Sequence, residues 1–313
     1  MAITLTGAER MRRVGRRAGA RARRHAGGYL FLLPALAYMT VIMLYPVYSN
    51  LRMSLHDVNV STFLAGNAPF VALDNYRVLF ADAAFWKALR ISLIFTAGSL
   101  VFQFAIGFLL AVLFNQPFPG NNLFRGLLLL GWLLPTVVSG SIFRWMLDGD
   151  FGVVNFALTN LNVLAEERYW LLDPSTALAG TILANIWVGI PFNMLLILAG
   201  LQGIPSTLYE AASIDGATAW QRFRSITLPL MRPVSLSVIL LGFIYTFKVF
   251  DLIYVMTGGG PVDASTVLPI HAYQLTFEFF HFGEGAAAAT VLLVGLLVVA
   301  ITYLWLSRRE EVA

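Results

Sequence analysis

A chain whose apolar runs are long enough to cross a bilayer has few folds open to it, because every backbone polar group in hydrocarbon must be bonded internally. From Ala286 to Leu306 the sequence reads AAAATVLLVGLLVVAITYLWL, with no charged residue. About 20 apolar residues span a hydrocarbon core as a helix. Six stretches reach that length, at 29–51, 91–114, 126–147, 178–203, 234–256 and 286–306. The pattern predicts an all-α integral membrane protein with six transmembrane helices. Pro135 in the third stretch and Gly189–Pro191 in the fourth would break a soluble helix; inside a bundle, neighbouring helices can satisfy the freed carbonyls. Composition agrees. Charged residues make up 12% of the chain, about half the fraction that coats an ordinary soluble domain. The first stretch is longer than the apolar core of a signal peptide and has no A-x-A site behind it, so it is read as part of the mature protein.

Six spans place both ends of the chain on one side. Eight arginines fall between Arg10 and Arg24, opposed only by Glu9. With Arg125, Arg222, Arg224, Arg232, Arg308 and Arg309 they put 14 basic residues on that side, against six (Arg52, Arg77, Lys87, Arg90, Arg144, Arg168) on the other. Basic residues set orientation, so the termini are expected in the cytoplasm. The chain then divides into an Arg-rich arm at 1–28, a six-helix transmembrane domain at 29–306 and a short cytoplasmic tail at 307–313. A nucleic-acid-binding tail would carry aromatic or sheet elements beside its charges. The arm is read instead as a solvated anchor on anionic membrane lipid, and no nucleic-acid partner is expected. The outer segments, 52–90, 148–177 and 257–285, are too long for tight turns and hold aromatics (Phe277, Phe279, Phe280, Phe282) spaced for short amphipathic helices.

One loop on the cytoplasmic side is unlike the rest. Residues 203–233, between the fourth and fifth spans, read GIPSTLYEAASIDGATAWQRFRSITLPLMRP. Thr207 with Glu210, and Thr218 with Gln221, have capping-box spacing, so two short helices are expected. Gly216 lies between them where a positive φ is needed. Pro229 and Pro233 are expected to end the second helix before the next span. Ala211, Ala212 and Gly216 leave one flank bare, so another chain could approach closely. The residues alone fit either a coupling element or a hairpin packed on its own bundle.

Glu210-Ala211-Ala212, three residues, Gly216, nine residues, then Ile226-Thr227-Leu228-Pro229 resembles the EAA loop of binding-protein-dependent transporter permeases. Further stretches are similar to the first permease subunit of the carbohydrate-type ABC importers: YLFLLP (Tyr29–Pro34), LDNY (Leu73–Tyr76), FRWM (Phe143–Met146), DFGVVN (Asp150–Asn155) and TGGGP (Thr257–Pro261). That group handles maltose, trehalose, lactose and glycerol 3-phosphate. The resemblance implies the type I ABC importer permease fold and a bacterial inner-membrane location. It implies four kinds of partner: a second homologous permease, two ATPase subunits, an extracytoplasmic solute-binding protein and a sugar. Glu210, Ala211, Ala212, Gly216, Ile226, Leu228 and Pro229 are then the residues that seat in an ATPase cleft. The chain itself is expected to bind no cofactor, with ATP and Mg held by the ATPase partners, and it lacks the phosphate-binding G-x-x-x-x-G-K-[ST] run.

Polar residues inside spans are costly and mark pathways. Gln103, Ser139, Asn185, Asn193 and Tyr245 are such residues, with Trp132 and Trp187 as faces on which a sugar can stack. Lys248 and Asp251, three apart, are read as a neutralising pair on one helix. Other functions fit poorly. An ion-coupled secondary transporter would use midplane carboxylates, and the spans hold only Asp251. An intramembrane enzyme would need a catalytic or metal-ligating set. The four histidines (His25, His56, His271, His281) all lie outside the expected spans without H-E-x-x-H spacing. With no cysteines, disulfides and thiolate metal sites are excluded. No catalytic residue and no metal ligand is expected. The sugar reading is a disaccharide or short oligosaccharide, with glycerol 3-phosphate or a related phosphodiester as the alternative.

Overall fold

The computed structural model describes residues 31–310, with side chains to Trp305. The arginine arm expected over 1–28 lies outside the described residues. Helices dominate throughout. Helix α1 covers Phe31–Ser54 and includes a π-helical turn at Thr40–Leu44. By internal contacts the chain forms two units, Met1–Met53 and Ser54–Ala313, and the second contains everything that follows.

Two short helices, α2 (Val60–Ala65) and α3 (Asp74–Ala81), lead into the long helix α4 (Ala83–Phe114). Asn59 caps α2 by accepting from the amides of Ser61 and Thr62, and Thr62 closes the box from the other side. Helix α4 starts eight residues before the apolar stretch at 91, because Asp82 accepts from the Ala84 amide at 2.9 Å and begins the helix outside it.

The third apolar stretch is not one helix. Helices α5 (Asn121–Leu133) and α6 (Thr136–Met146) meet at 95°. Pro135 supplies no N–H, and the residue before a proline is pushed out of the α region. Leu134 accordingly sits at φ −68°, ψ 138°. Pro191 behaves differently, since α8 (Ala177–Gln202) runs through it unbroken. Between them lies α7 (Val153–Asn160).

Helix α9 (Ser206–Ile214) opens the 203–233 loop and is followed by a helix that runs from Ala219 to Phe247, α10. Pro229 and Pro233 do not stop it. A π-helical turn at Phe223–Thr227 widens the helix where the Pro229 ring would meet the Ser225 carbonyl one turn back. The fifth expected span is shifted as well. It ends at Phe247, and Asp251–Met256 forms a separate helix, α11. Helix α12 (Leu268–Tyr273) and the closing helix α13 (Phe282–Glu310) complete the chain.

Helices α4 and α8 form the axis of the second unit. At Gly107 their backbones come so close that a Cβ would lie 2.8 Å from the Asn193 Cβ. Phe108, Ala111, Met194, Ile197 and Met231 fill the core between α4, α8 and α10. A second cluster, with Leu79, Phe85, Phe247, Leu268 and Ala287, fixes α3, α12 and α13 to the opposite end of α4.

Candidate functional site

Two regions collect the residues singled out from the sequence. The first is a cavity of about 240 Å³ midway along α4 and α8. Five of the seven pathway residues line it: Gln103, Trp132, Asn185, Asn193 and Tyr245. Asn185, Phe192 and Asn193 share one face of α8, at spacings of seven and eight residues, so each side chain returns to the same wall.

The rings of Trp132 and Phe192 stack at 5.7 Å, and Tyr245 meets Phe192 edge-on at 5.6 Å. Opposite these rings are amides. Gln103 is 3% exposed, and its Nε2 donates to the Asn185 carbonyl at 2.7 Å. Asn193 Nδ2 donates to the Gly189 carbonyl at 2.8 Å. Asn185 Nδ2 and Asn193 Oδ1 are buried and have no hydrogen-bond partner among the described residues. The cavity wall therefore holds one unused donor and one unused acceptor.

Two pathway residues are elsewhere. Trp187 is two positions from Asn185, on the other side of α8, where its ring packs against Gly131 and lines a separate apolar cavity of about 640 Å³. Ser139 lies beyond the bend on α6, which carries it away from the cavity. It is fully buried, and its Oγ is unpartnered among the described residues. The Lys248–Asp251 pair does not form either. The helix ends at Phe247, so the two residues do not share a turn. Lys248 Nζ lies over the Tyr245 ring at 5.1 Å, and Asp251 accepts from Thr136 Oγ1 at 3.4 Å. Phe192 escaped notice in the sequence because one phenylalanine in an apolar helix carries no polar signal; its seven-residue spacing from Asn185 would have placed it.

The second region is the 203–233 loop. Gly216 joins α9 to α10 at φ +77°, and a Cβ there would meet nothing within 4 Å. Backbone conformation, not crowding, makes glycine suitable. Thr218 and Gln221 form a capping box: the Gln221 amide donates to Thr218 Oγ1 at 3.3 Å, and the Thr218 amide donates to Gln221 Oε1 at 2.7 Å. Thr207 and Glu210 do not form one. Helix α9 begins at Ser206 behind Pro205, so Thr207 is already helical and cannot serve as the cap. The Glu210 carboxylate is exposed and has no partner among the described residues.

Ala211, Leu228 and Pro229 are also exposed, while Ala212 and Ile226 are half-buried. Two hydrogen bonds invisible in the sequence hold the loop together. Tyr209 Oη and Thr227 Oγ1 are 2.9 Å apart, and Arg222 Nη1 donates to Ser213 Oγ at 2.8 Å. Ile214 and Trp220 project from it, 88% and 66% exposed. Among the described residues no group of three His, Cys, Asp or Glu is placed to hold a metal.

Similarity to known proteins bears on both regions. Residues 103–312 match the family described as binding-protein-dependent transport system inner membrane component. The chain is 37% identical over 281 residues to the trehalose/maltose transport system permease protein of Thermococcus litoralis, covering 89% of this chain and 92% of that one. It is 36% identical over 282 residues to the sulfoquinovosyl glycerol transport system permease protein of Agrobacterium fabrum, covering 90% of each. A chain in the crystal structure of a bacterial alginate ABC transporter, solved in complex with an alginate pentasaccharide-bound periplasmic protein, superposes with a TM-score of 0.79. It is 25% identical, with 93% of this chain and 97% of that one covered. A six-stretch helical chain with this loop and these relatives belongs to the binding-protein-dependent transport system inner membrane components, as a permease subunit of the type I ABC importers.

Proposed function

We propose that this permease forms half of the pathway for a sugar, a disaccharide or short oligosaccharide, and that ATP hydrolysis by partner subunits drives the import. The observation that carries the reading is the cavity with an unused donor at Asn185, an unused acceptor at Asn193 and a wall of three aromatic rings. A sugar hydroxyl both donates and accepts, so one hydroxyl can satisfy both amides while the C–H face of the ring lies on Trp132 or Tyr245. The cavity is below the ~300–1,000 Å³ of ordinary ligand sites, which fits half a site completed by a second permease. Relatives named for trehalose/maltose and sulfoquinovosyl glycerol transport support the substrate class.

The 203–233 loop is the surface offered to an ATPase. Glu210 supplies a free charge, Ile214 and Trp220 an apolar contact, and Gly216 the turn between them. The termini and this loop then face the cytoplasm. The opposite end, with α2, α3, α7 and α12, faces a solute-binding protein. ATP and Mg belong to the ATPase subunits, and this chain carries out no covalent chemistry.

The test is uptake by the complex reconstituted with both permeases, the ATPases and a sugar-loaded binding protein. Asn193→Leu keeps side-chain size and removes the amide. Leaving a site's polar group unpaired costs about 1–3 kcal/mol, so uptake kcat/KM is expected to fall about 5- to 150-fold with the complex still assembled. Uptake at the wild-type rate would refute the site.

A further inference from the structure

In α8 the sequence Gly189-Ile190-Pro191 sits at the level of the cavity. Pro191 removes the N–H that would close a turn on the Trp187 carbonyl, and Gly189 adds the least stiffness of any residue. The helix nevertheless continues through both residues without a break. Something must hold it. The Gln103 amide, reaching over from α4, lies flat on Gly189. A Cβ added there would fall 2.6 Å from the amide oxygen and closer still to its carbon and nitrogen. The same amide donates to the Asn185 carbonyl one turn before Gly189, and Asn193 Nδ2, one turn after Gly189 on α8 itself, donates to the Gly189 carbonyl. The weak stretch of α8 is therefore bracketed by two side-chain amides, and both line the cavity.

We propose that Gln103 is a positioning residue that braces α8 at Gly189–Pro191, and that a sugar entering the cavity takes over its donor. The inference rests on the sugar reading of the cavity. Among the described residues Gln103 Nε2 has one acceptor, the Asn185 carbonyl, and that carbonyl belongs to the helix it braces. A sugar hydroxyl beside it offers an alternative acceptor. When Gln103 turns to the sugar, the Asn185–Pro191 stretch loses its support from α4 and is free to bend. Occupancy of the cavity is thereby converted into flexibility of the helix that leads, through Gln202, into the 203–233 loop. Gln103 makes ATP hydrolysis depend on substrate and has no part in the hydrolysis itself.

The test is the ATPase rate of the reconstituted complex, read with sugar-loaded and with empty binding protein. Gln103→Met keeps the length and flexibility of the side chain and removes the donor. The unstimulated rate is expected to rise and the stimulation ratio to fall at least threefold. A second comparison uses the contact itself. Gly189→Ala should raise the unstimulated rate and lower the stimulation ratio as Gln103→Met does, because its Cβ forces the amide off the helix, and adding Gln103→Ala should change neither further, because Gln103 supplies all three of the nearest atoms. A wild-type stimulation ratio in Gln103→Met or in Gly189→Ala would overturn the brace. Failure of the sugar reading would show elsewhere, as wild-type uptake in the double variant Trp132→Ala with Tyr245→Ala, so the two failures are distinguishable.

Discussion

The hydroxyls of Tyr209 and Thr227 meet at 2.9 Å, tying α9 to the π-helical turn of α10. The loop's two helices are thus held by a bond 18 residues apart in sequence as well as by the turn at Gly216. Tyr209→Phe removes one net hydrogen bond, about 1 kcal/mol. Faster proteolysis of the loop and a lower ratio of sugar transported to ATP hydrolysed are expected. Unchanged proteolysis and an unchanged ratio would show that the bond holds nothing.

Gly216 separates strain from crowding, because its surroundings are empty. A β-branched residue at φ +77° costs about 1–2 kcal/mol, so Gly216→Val should loosen ATPase attachment or uncouple hydrolysis from uptake. Gly216→Asn, which tolerates that conformation, should stay close to wild type. Co-purification of the ATPase with each variant decides it; equal retention by both would remove the turn from the coupling.

Glu210 is not a capping residue, and this sharpens what a neutral replacement should do. With no partner for its carboxylate among the described residues, Glu210→Gln is expected to leave thermal stability unchanged. A charge-assisted contact to a basic residue of an ATPase is about twice as strong as a neutral one, so ATPase affinity should fall and the loss should shrink at high salt. A stability loss with unaltered affinity would point to an internal role.

His271 in α12 is 5% exposed, and its Nε2 has no partner among the described residues. Burial holds its pKa below the ordinary imidazole value, against weaker opposing pulls from Asp82, Asp263 and Glu284. The unfolded chain then binds a proton before the folded one does, so stability is present above the unfolded pKa of about 6.5 and declines as pH falls below it. His271→Gln should flatten the fall in melting temperature between about pH 7 and pH 5. Identical slopes would assign the acid sensitivity to other groups.

Much of this molecule was readable from residue order. Span number follows from apolar length alone, and Gly216 and the Thr218–Gln221 box follow from local rules that depend on few neighbours. What local rules missed depended on what lies alongside. Pro135 bends its span by 95° while Pro191 leaves α8 intact, and no property of the prolines themselves separates the cases. Gln103 and Asn193 bracket the second; Pro229 is relieved by a π turn that sequence does not announce. Trp187 and Asn185 are both suited to sugars, but two residues along a helix is about 200°, which is the opposite side. The Thr207–Glu210 spacing is genuine, yet the helix starts behind Pro205, two residues too early for it to serve.

The bend at Pro135 has a consequence for the life of the chain before assembly. Helix α5 has 13 residues and is about 20 Å long, against a hydrocarbon core of about 30 Å. It is shorter than that core, so with the pair crossing as one broken span the carbonyls at its end and the amides opening α6 would fall where lipid offers no hydrogen bonds. Such a break is tolerated only against protein or water, so this face cannot be a lipid face. In the proposed assembly a second permease covers this face, so a newly inserted copy alone is an unfinished surface, open to membrane quality-control proteases. Cellular abundance of the permease should therefore follow the synthesis of its companion more closely than its own.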